Sequence, residues 1–289
     1  MTDVSDARPW CAVDLAPGRA RAWLLRGGAV SARATLTPPP EVPDRQHADA
    51  LIKRLGTPAD GAPAVICGLS GPPAPVAVPV KPGQIQPQRQ AGTNAHALPG
   101  LRQNSPPALM QGDEVRIAGF LALNPGWDGV ICLSGPLTHW AQVSAEEVVS
   151  FQSFLTGVAA DALAVTPVLH ARLTGTEWDD DAFADALDTA MSRPERLASG
   201  LAEIRAMATL EGLPGSEARA RLHGLLIGAE LAAARPYWLG QQVALIAPDD
   251  TANRYAAALV RQGVPVARTD EERMTLAGFT AARRRIAAG

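Results

Sequence analysis

Residues 11–36 read CAVDLAPGRARAWLLRGGAVSARATL, and this stretch decides the fold. Three aliphatic runs are separated by turn signals at 16–18 and at 27–28, which predicts an antiparallel meander of short strands. Residues 44–56 have an acidic start and a glycine stop, and they predict a helix. The apolar run AVICG that follows predicts a buried strand.

Three antiparallel strands, a helix and a further strand are the opening of a ribonuclease-H-like domain, although other α/β folds share this pattern. Residues 69–107 are rich in proline, glycine, glutamine and asparagine and predict an extended, loop-dominated stretch. We place a domain boundary near 124–126. The sequence therefore predicts two α/β domains, 1–124 and 125–289, with mixed sheets, the first carrying AVDL and the second VICLSG and VALIA.

Composition excludes several classes of function. A net charge of -3 and a pI near 6.0 provide no broad basic field, so we expect no nucleic-acid partner. We also expect no membrane span and no secretion signal, because long apolar runs and a basic start followed by an apolar region are missing. Cys11, Cys67 and Cys132 lie in apolar runs and predict buried free thiols in a cytoplasmic protein.

Six collinear segments carry a resemblance to a known family. They are AVDL...RAWL, PAVICGLSG, LPGL...MQGDEVRIAG, VICLSGPLTHWAQV, FQSFLTG and LHGLLIGAEL, in that order along nearly the whole chain. The first is similar to I-D-W-G-[ST]-[ST]-N-x-R-x-W, and the fourth to V-x-x-P-G-T-H-[CS]-K-W. In this order and spacing the segments resemble the 2-dehydro-3-deoxygalactonokinase family of sugar-acid kinases.

The resemblance implies the hexokinase- and actin-like superfold, in which two ribonuclease-H-like domains close on ATP in a central cleft. It implies transfer of the γ-phosphate of ATP, with Mg²⁺, to the 6-hydroxyl of the sugar acid 2-dehydro-3-deoxy-D-galactonate. Such catalysis mainly positions groups and stabilises charge. A small-molecule partner is therefore expected, and a homodimer is left open.

The resemblance also assigns site residues, each beside a structural alternative. Asp14 would hold the metal shell, and Asp113 or Glu114 would be the base that takes the proton of the attacking hydroxyl. Asp14 could instead cap the following turn, and the two acids also suit the dipole at a helix start. The other assignments are Gly18, Gly135, Thr138 and His139 near ATP, and Gly68, Ser70, Gly71 and Thr156 near the substrate.

Several positions depart from the family pattern and support a second hypothesis. Pro17 and Pro136 replace family residues in both phosphate turns, and proline lacks the N–H that could face a phosphate. Val158 replaces a glutamate, and Arg116 stands where the family has glutamine. The alternative is therefore a catalytically impaired relative that binds a sugar acid or acts in regulation.

Overall fold

A computed structural model describes residues 8–38, 44–56, 62–170, 173 and 177–288. The chain divides into two compact units. The first unit comprises residues 1–131, 141–151 and 269–289, and the second comprises 132–140 and 152–268. The C-terminal residues thus group with the N-terminal ones, whereas the boundary near 124–126 stays a prediction. Across the described residues, no helix is both long enough and apolar enough to cross a bilayer.

The strands range from two to eight residues in length. They are β1 (Trp10–Ala16), β2 (Arg19–Arg26), β3 (Ala29–Leu36), β4 (Ala64–Cys67), β5 (Val76–Ala77), β6 (Gln88–Arg89), β7 (Ala95–Ala97), β8 (Leu101–Asn104), β9 (Pro107–Met110), β10 (Gly129–Ser134), β11 (Thr138–Ser144), β12 (Glu147–Phe154), β13 (Val243–Ile246) and β14 (Val266–Thr269).

The helices cover the sheets and dominate the part of the chain after β12. They are α1 (Asp44–Arg54), α2 (Asp113–Leu123), α3 (Thr156–Val165), α4 (Asp180–Ser192), α5 (Leu197–Leu210), α6 (Gly215–Ala233), α7 (Arg235–Trp238), α8 (Asp249–Arg261) and α9 (Glu271–Ala288).

The first sheet has the strand order β3-β2-β1-β4-β7-β6, with β1 antiparallel to β2 and parallel to β4. The predicted meander, helix and buried strand are confirmed. Side chains of β1 alternate between two faces. Val13 packs in the cluster that contains Leu51 of α1, whereas Trp10 packs in the cluster with Val115 of α2 and Phe279 of α9. The alternation places Asp14 on the face of Trp10.

A five-stranded sheet has the order β12-β11-β10-β13-β14. The segments VICLSG and VALIA lie in its neighbouring strands β10 and β13, as predicted. The interpretation of 69–107 as an extended, loop-dominated stretch is confirmed for most of its residues, although the short strands β5, β6, β7 and β8 fall within it. These strands are two to four residues long, and their backbone pairing leaves little trace in the apolar pattern of the sequence.

Glycines bring two helix pairs into close contact. In the first unit, a Cβ on Gly119 of α2 would lie 1.9 Å from the carbonyl oxygen of Met274 in α9. In the second, a Cβ on Gly224 of α6 would lie 2.5 Å from the carbonyl oxygen of Phe183 in α4. Real Cβ atoms do not come so close, so both positions require glycine. The packing between α2 and α9 fixes the start of each helix over the end of β1.

Candidate functional site

Three predicted site segments meet at one edge of the first sheet. Gly68 follows β4 with φ of +81°, and a Cβ there would lie 1.9 Å from the carbonyl oxygen of Leu15. Gly112 precedes α2 with φ of +106° and lies close to the same carbonyl. Only glycine adopts this backbone at so short a distance. The end of β1, the end of β4 and the start of α2 are therefore held together, which gathers Asp14, Gly68, Asp113 and Glu114.

Asp14 is buried and fully engaged in polar contacts. Its Oδ2 atom accepts hydrogen bonds from Arg116 Nη2 at 2.6 Å and from Arg21 Nη2 at 2.8 Å. The thiol of Cys67 lies 3.5 Å from Oδ1. Burial by itself would raise the pKa of Asp14, but the Arg116 and Arg21 guanidiniums outweigh burial and lower the pKa below its ordinary value. Asp14 is thus an ionised carboxylate paired with arginine.

The ion pairs of Asp14 belong to a larger group, the Arg116 cluster, which comprises three acids and three arginines. Arg116 Nη1 also contacts Asp113 Oδ1, and Arg116 Nε lies 3.2 Å from Glu271 Oε1. Glu271, at the start of α9, further pairs with Arg21 at 3.0 Å and with Arg19 at 2.7 Å. The members are Asp14, Arg19, Arg21, Asp113, Arg116 and Glu271, whose formal charges balance.

The two acids at the start of α2 have different environments. Glu114 is buried, and its Oε2 accepts a hydrogen bond from the Gly112 backbone N–H at 2.6 Å. Burial raises the pKa of Glu114 to about 8, despite that hydrogen bond. The Asp113 side chain is 22% exposed and bound by Arg116. At neutral pH Glu114 therefore carries a proton, and Asp113 is the more accessible acid of the pair.

The raised pKa of Glu114 predicts a pH-dependent stability. The folded protein retains a proton on Glu114 up to about pH 8, whereas the unfolded chain releases it near the ordinary value of 4.5. Stability from this group is therefore lost as pH rises, by about 2 to 3 kcal/mol between about pH 6 and pH 8. Glu114→Gln imitates the protonated acid and should remove this loss. Urea unfolding of both proteins across this pH range measures it.

A matched control for Glu114→Gln is Glu203→Gln, since Glu203 lies on an exposed surface of α5. The Glu203 variant should follow the pH profile of the wild type. Parallel profiles for the Glu114 variant and the wild type would show that Glu114 ionises normally in the folded protein.

The arrangement around Asp14 does not fit a bound divalent cation. One carboxylate oxygen already accepts from two guanidiniums, and the other is in contact with Cys67. Throughout the described ranges, no three His, Cys, Asp or Glu side chains are grouped closely enough to hold a metal ion. A hard cation such as Mg²⁺ prefers free oxygen ligands and water. Asp14 in this structure therefore serves as the ion-pair partner of two arginines and not as a metal ligand.

The turn between β10 and β11, in the second unit, uses its polar groups internally. The Gly135 N–H donates to the carbonyl oxygen of Leu137 at 3.0 Å. Thr138 is buried, with its hydroxyl 3.0 Å from that of Tyr255 in α8. His139 is also buried, and its Nδ1 lies 2.8 Å from the Ser153 hydroxyl. The Thr138 and His139 side chains point into the fold of this unit.

A buried glutamate connects this turn to three helices. Glu230 of α6 accepts hydrogen bonds from the Trp140 indole at 2.8 Å, from the Tyr255 hydroxyl at 2.8 Å and from the Thr156 hydroxyl. Burial raises the pKa of Glu230, and the three hydrogen bonds oppose the rise. The network links β11, the start of α3, α6 and α8. Thr156, predicted on the substrate side, is therefore a partner of Glu230.

The predicted substrate loop after β4 begins at Gly68 and continues outward. The Ser70 backbone N–H donates to Asp44 Oδ2 at 2.9 Å, which ties the loop to the start of α1. Gly71 is exposed, and a Cβ there would meet no atom within 4 Å. Gly18, in the turn between β1 and β2, is likewise in open space. The backbone at Gly18 and Gly71 is therefore accessible to a ligand.

Sequence reasoning missed several members of these networks. Arg21 matches the arginine of the family pattern N-x-R-x-W, so that pattern was a usable signal. For Arg116, the sequence showed only that an arginine replaces the glutamine of the family pattern. Glu271 gives no local signal, since 250 residues separate it from Arg21. Tyr255 was hidden in a helix that otherwise shows an ordinary amphipathic pattern.

Comparison with known proteins identifies the family to which this chain is similar. The sequence model of 2-keto-3-deoxy-galactonokinase matches residues 16–282. A candidate 2-dehydro-3-deoxygalactonokinase of Rhizobium meliloti (strain 1021) is 27% identical over 298 residues, which is 96% of this chain and 97% of the relative. The 2-dehydro-3-deoxygalactonokinase of Escherichia coli (strain K12) is 30% identical over 178 residues, covering 61% of this chain and 60% of the relative.

Solved structures agree with the sequence comparison. The crystal structure of a candidate 2-dehydro-3-deoxygalactonokinase from Sinorhizobium meliloti superposes with a TM-score of 0.85 at 26% identity, over 96% of both chains. The ADPNP-bound activator of 2-hydroxyisocaproyl-CoA dehydratase from Clostridium difficile has a TM-score of 0.55 at 9% identity, covering 97% and 96% of the two chains. The second likeness supports the fold alone, and it confirms the predicted actin-like ATPase superfold. The chain belongs to the 2-keto-3-deoxy-galactonokinase family.

Proposed function

We propose that this chain transfers the γ-phosphoryl group of ATP to the 6-hydroxyl of 2-dehydro-3-deoxy-D-galactonate. The observation that carries the proposal is the match to the family across residues 16–282, together with a fold of TM-score 0.85 to the Sinorhizobium meliloti protein. ATP as donor is supported by the family and by the bound ADPNP of the fold relative from Clostridium difficile. The expected cytoplasmic location and homodimer remain predictions.

Residues of the first unit supply the groups that this proposal needs. Asp113 is the proposed base, because it is the accessible acid at the start of α2 and Glu114 is buried and protonated. Arg19 has a side chain 30% exposed and follows the turn at Gly18, so it can face a phosphate. Gly68, Ser70 and Gly71 offer backbone to the sugar acid.

Gly135 and Thr138 belong to the second unit. They are proposed to shape the second phosphate turn rather than to contact phosphate through side chains.

Asp113→Asn tests the proposed base. Loss of the carboxylate should lower kcat by about 100-fold or more, because general bases contribute rate enhancements of that order. KM for the sugar acid should change little, since the amide keeps the shape and the contact with Arg116. Steady-state kinetics of the variant measure both constants, and Asp188→Asn, at an exposed ion pair of α4, is the matched control. An unchanged kcat would remove Asp113 from the reaction.

The proposed activity itself is tested by a coupled ADP-release assay with 2-dehydro-3-deoxygalactonate and Mg-ATP. Turnover on the order of 1 to 100 per second is expected for a sugar kinase. The control replaces the sugar acid by D-galactonate, which lacks the 2-keto group. ADP release that does not depend on the sugar acid would contradict the proposal.

A second candidate function is favoured by one specific observation. Asp14, Thr138 and His139 are each buried and bound to other side chains of their own units, so none is free for nucleotide or metal. We propose as the alternative a sugar-acid-binding or regulatory relative without phosphoryl transfer. Calorimetry separates the two functions: tight binding of the sugar acid with no binding of Mg-ATP would support the alternative.

A further inference from the structure

Three carboxylates of the first unit are arranged around one guanidinium. Arg116 Nη2 is 2.6 Å from Asp14, Nη1 is 2.5 Å from Asp113, and Nε is 3.2 Å from Glu271. These acids come from the end of β1, the start of α2 and the start of α9. Carboxylates that converge from separate elements are the usual ligands of a hard divalent cation. Here the group that lies between the three carboxylates is the guanidinium of Arg116.

The geometry points to Arg116 as a resident cation that takes the place of a divalent metal at Asp14. We propose that this chain binds no Mg²⁺ through Asp14, and that replacing Arg116 by the glutamine of the family pattern creates a metal site among Asp14, Asp113 and Glu271. The inference concerns cation binding alone and does not depend on the proposed function.

Burial and charge both support this assignment. The Arg116 side chain is 4% exposed and that of Asp14 is 1% exposed, so the pair is held away from solvent. Arg19 and Arg21 contact the same Oε1 atom of Glu271 as Arg116 does, at 2.7 and 3.0 Å. The three arginines balance the three acids. A divalent ion added to this group would meet three nearby positive charges, and in a buried site such repulsion is weakly screened.

The arginine also explains why the acids do not yet form a metal site. The guanidinium is planar, and its nitrogens hold the three carboxylates apart at its edges. Glutamine is shorter and uncharged, so it leaves three carboxylates facing a space with no central cation. Two of the acids start helices whose packing is fixed by Gly119 and Gly278, each with less than 2 Å between a Cβ and a backbone oxygen of the other helix. The helix starts should therefore stay in place in the variant. The three carboxylates are too far apart to share an ion while Arg116 separates them, and they must rotate into the vacated space to bind one.

The experiment is a titration of the protein with Mn²⁺, a stand-in for Mg²⁺, followed by the electron paramagnetic resonance signal of the free ion. Wild type and Asp14→Asn should give the same isotherm. Arg116→Gln should gain one site, bound at least about tenfold more tightly than any site of the wild type, and Arg116→Gln with Asp14→Asn should lose it. Arg116→Lys keeps the charge and should behave as wild type.

Two results would overturn the inference. One is a Mn²⁺ site in the wild type that Asp14→Asn abolishes, because Asp14 would then be a metal ligand already. The other is a folded Arg116→Gln variant that gains no site, because Arg116 would then not be the group that excludes the metal. Arg33→Gln, which removes an exposed arginine 2.8 Å from Glu272, controls for the loss of an arginine near α9. The comparison of wild type with Asp14→Asn holds even if Arg116→Gln does not fold.

Discussion

Asp14→Ala is expected to lower the free energy of unfolding by about 3 to 5 kcal/mol, the cost of breaking a buried ion pair by removing one partner. The loss is large because Arg116 is buried and its Nη2 atom would lose the carboxylate that accepts from it at 2.6 Å. Arg21 would lose a partner at 2.8 Å as well. Urea unfolding at neutral pH measures the effect.

Asp188→Ala is the matched control for Asp14→Ala. Asp188 pairs with Arg261 at distances as short as those of Asp14, but both side chains are nearly half exposed. The control should lose no more than about 1 kcal/mol, since exposed ion pairs contribute little. Because the pKa of Asp14 is lowered in the folded state, its contribution persists at neutral pH and is lost only in acid. Equal losses in the two variants would contradict the buried-pair interpretation.

Glu230→Ala is expected to destabilise the second unit by about 3 to 5 kcal/mol. The substitution leaves the Trp140 indole, the Tyr255 hydroxyl and the Thr156 hydroxyl without their common acceptor, and each unsatisfied buried group costs about 1 to 3 kcal/mol. It also opens a cavity between α6 and β11. Thermal and urea unfolding measure the loss.

Glu230→Gln separates hydrogen bonding from packing, because it keeps the volume while one acceptor oxygen becomes a donor. It should fall between wild type and Glu230→Ala. Glu203→Ala in α5 removes an exposed glutamate paired with Arg196 at 3.1 Å, and it should cost less than about 1 kcal/mol. A Glu230→Ala variant as stable as Glu203→Ala would show that the three donors find other partners.

Local patterns predicted the first sheet well. In residues 11–36 the aliphatic runs and the glycine turns are both short-range signals, and β1, β2 and β3 follow them. The individual strands within 69–107 were harder to predict, since β5 to β8 are only two to four residues long and are held by backbone pairing rather than by their own apolar periodicity. In α6, Gly224 and Gly228 both lie against α4, so these glycines serve close helix packing.

The candidate site was predictable only in part. Asp14 and the acids at 113 and 114 could be found from the family pattern, and the glycines at 68 and 112 bring them to one edge of the sheet. The ion-pair partners and protonation states of these acids could not be predicted from the sequence. Alternation placed Asp14 on the Trp10 face of β1, but the helices that cover this face begin much later in the sequence, at Asp113 and Glu271. The arginine pairing and the protonated Glu114 depend on that long-range packing.

The proposed phosphoryl transfer is tested most directly by phosphorus nuclear magnetic resonance of the complete reaction. Wild-type protein, Mg-ATP and 2-dehydro-3-deoxygalactonate should produce ADP and one phosphate ester whose phosphorus couples to the two protons on carbon 6 of the sugar acid. At a turnover on the order of 1 to 100 per second, about 1 μM enzyme converts about 1 mM substrate within roughly 10 seconds to 20 minutes. ATP that stays intact, or that is hydrolysed to inorganic phosphate without an ester, would contradict the proposed function.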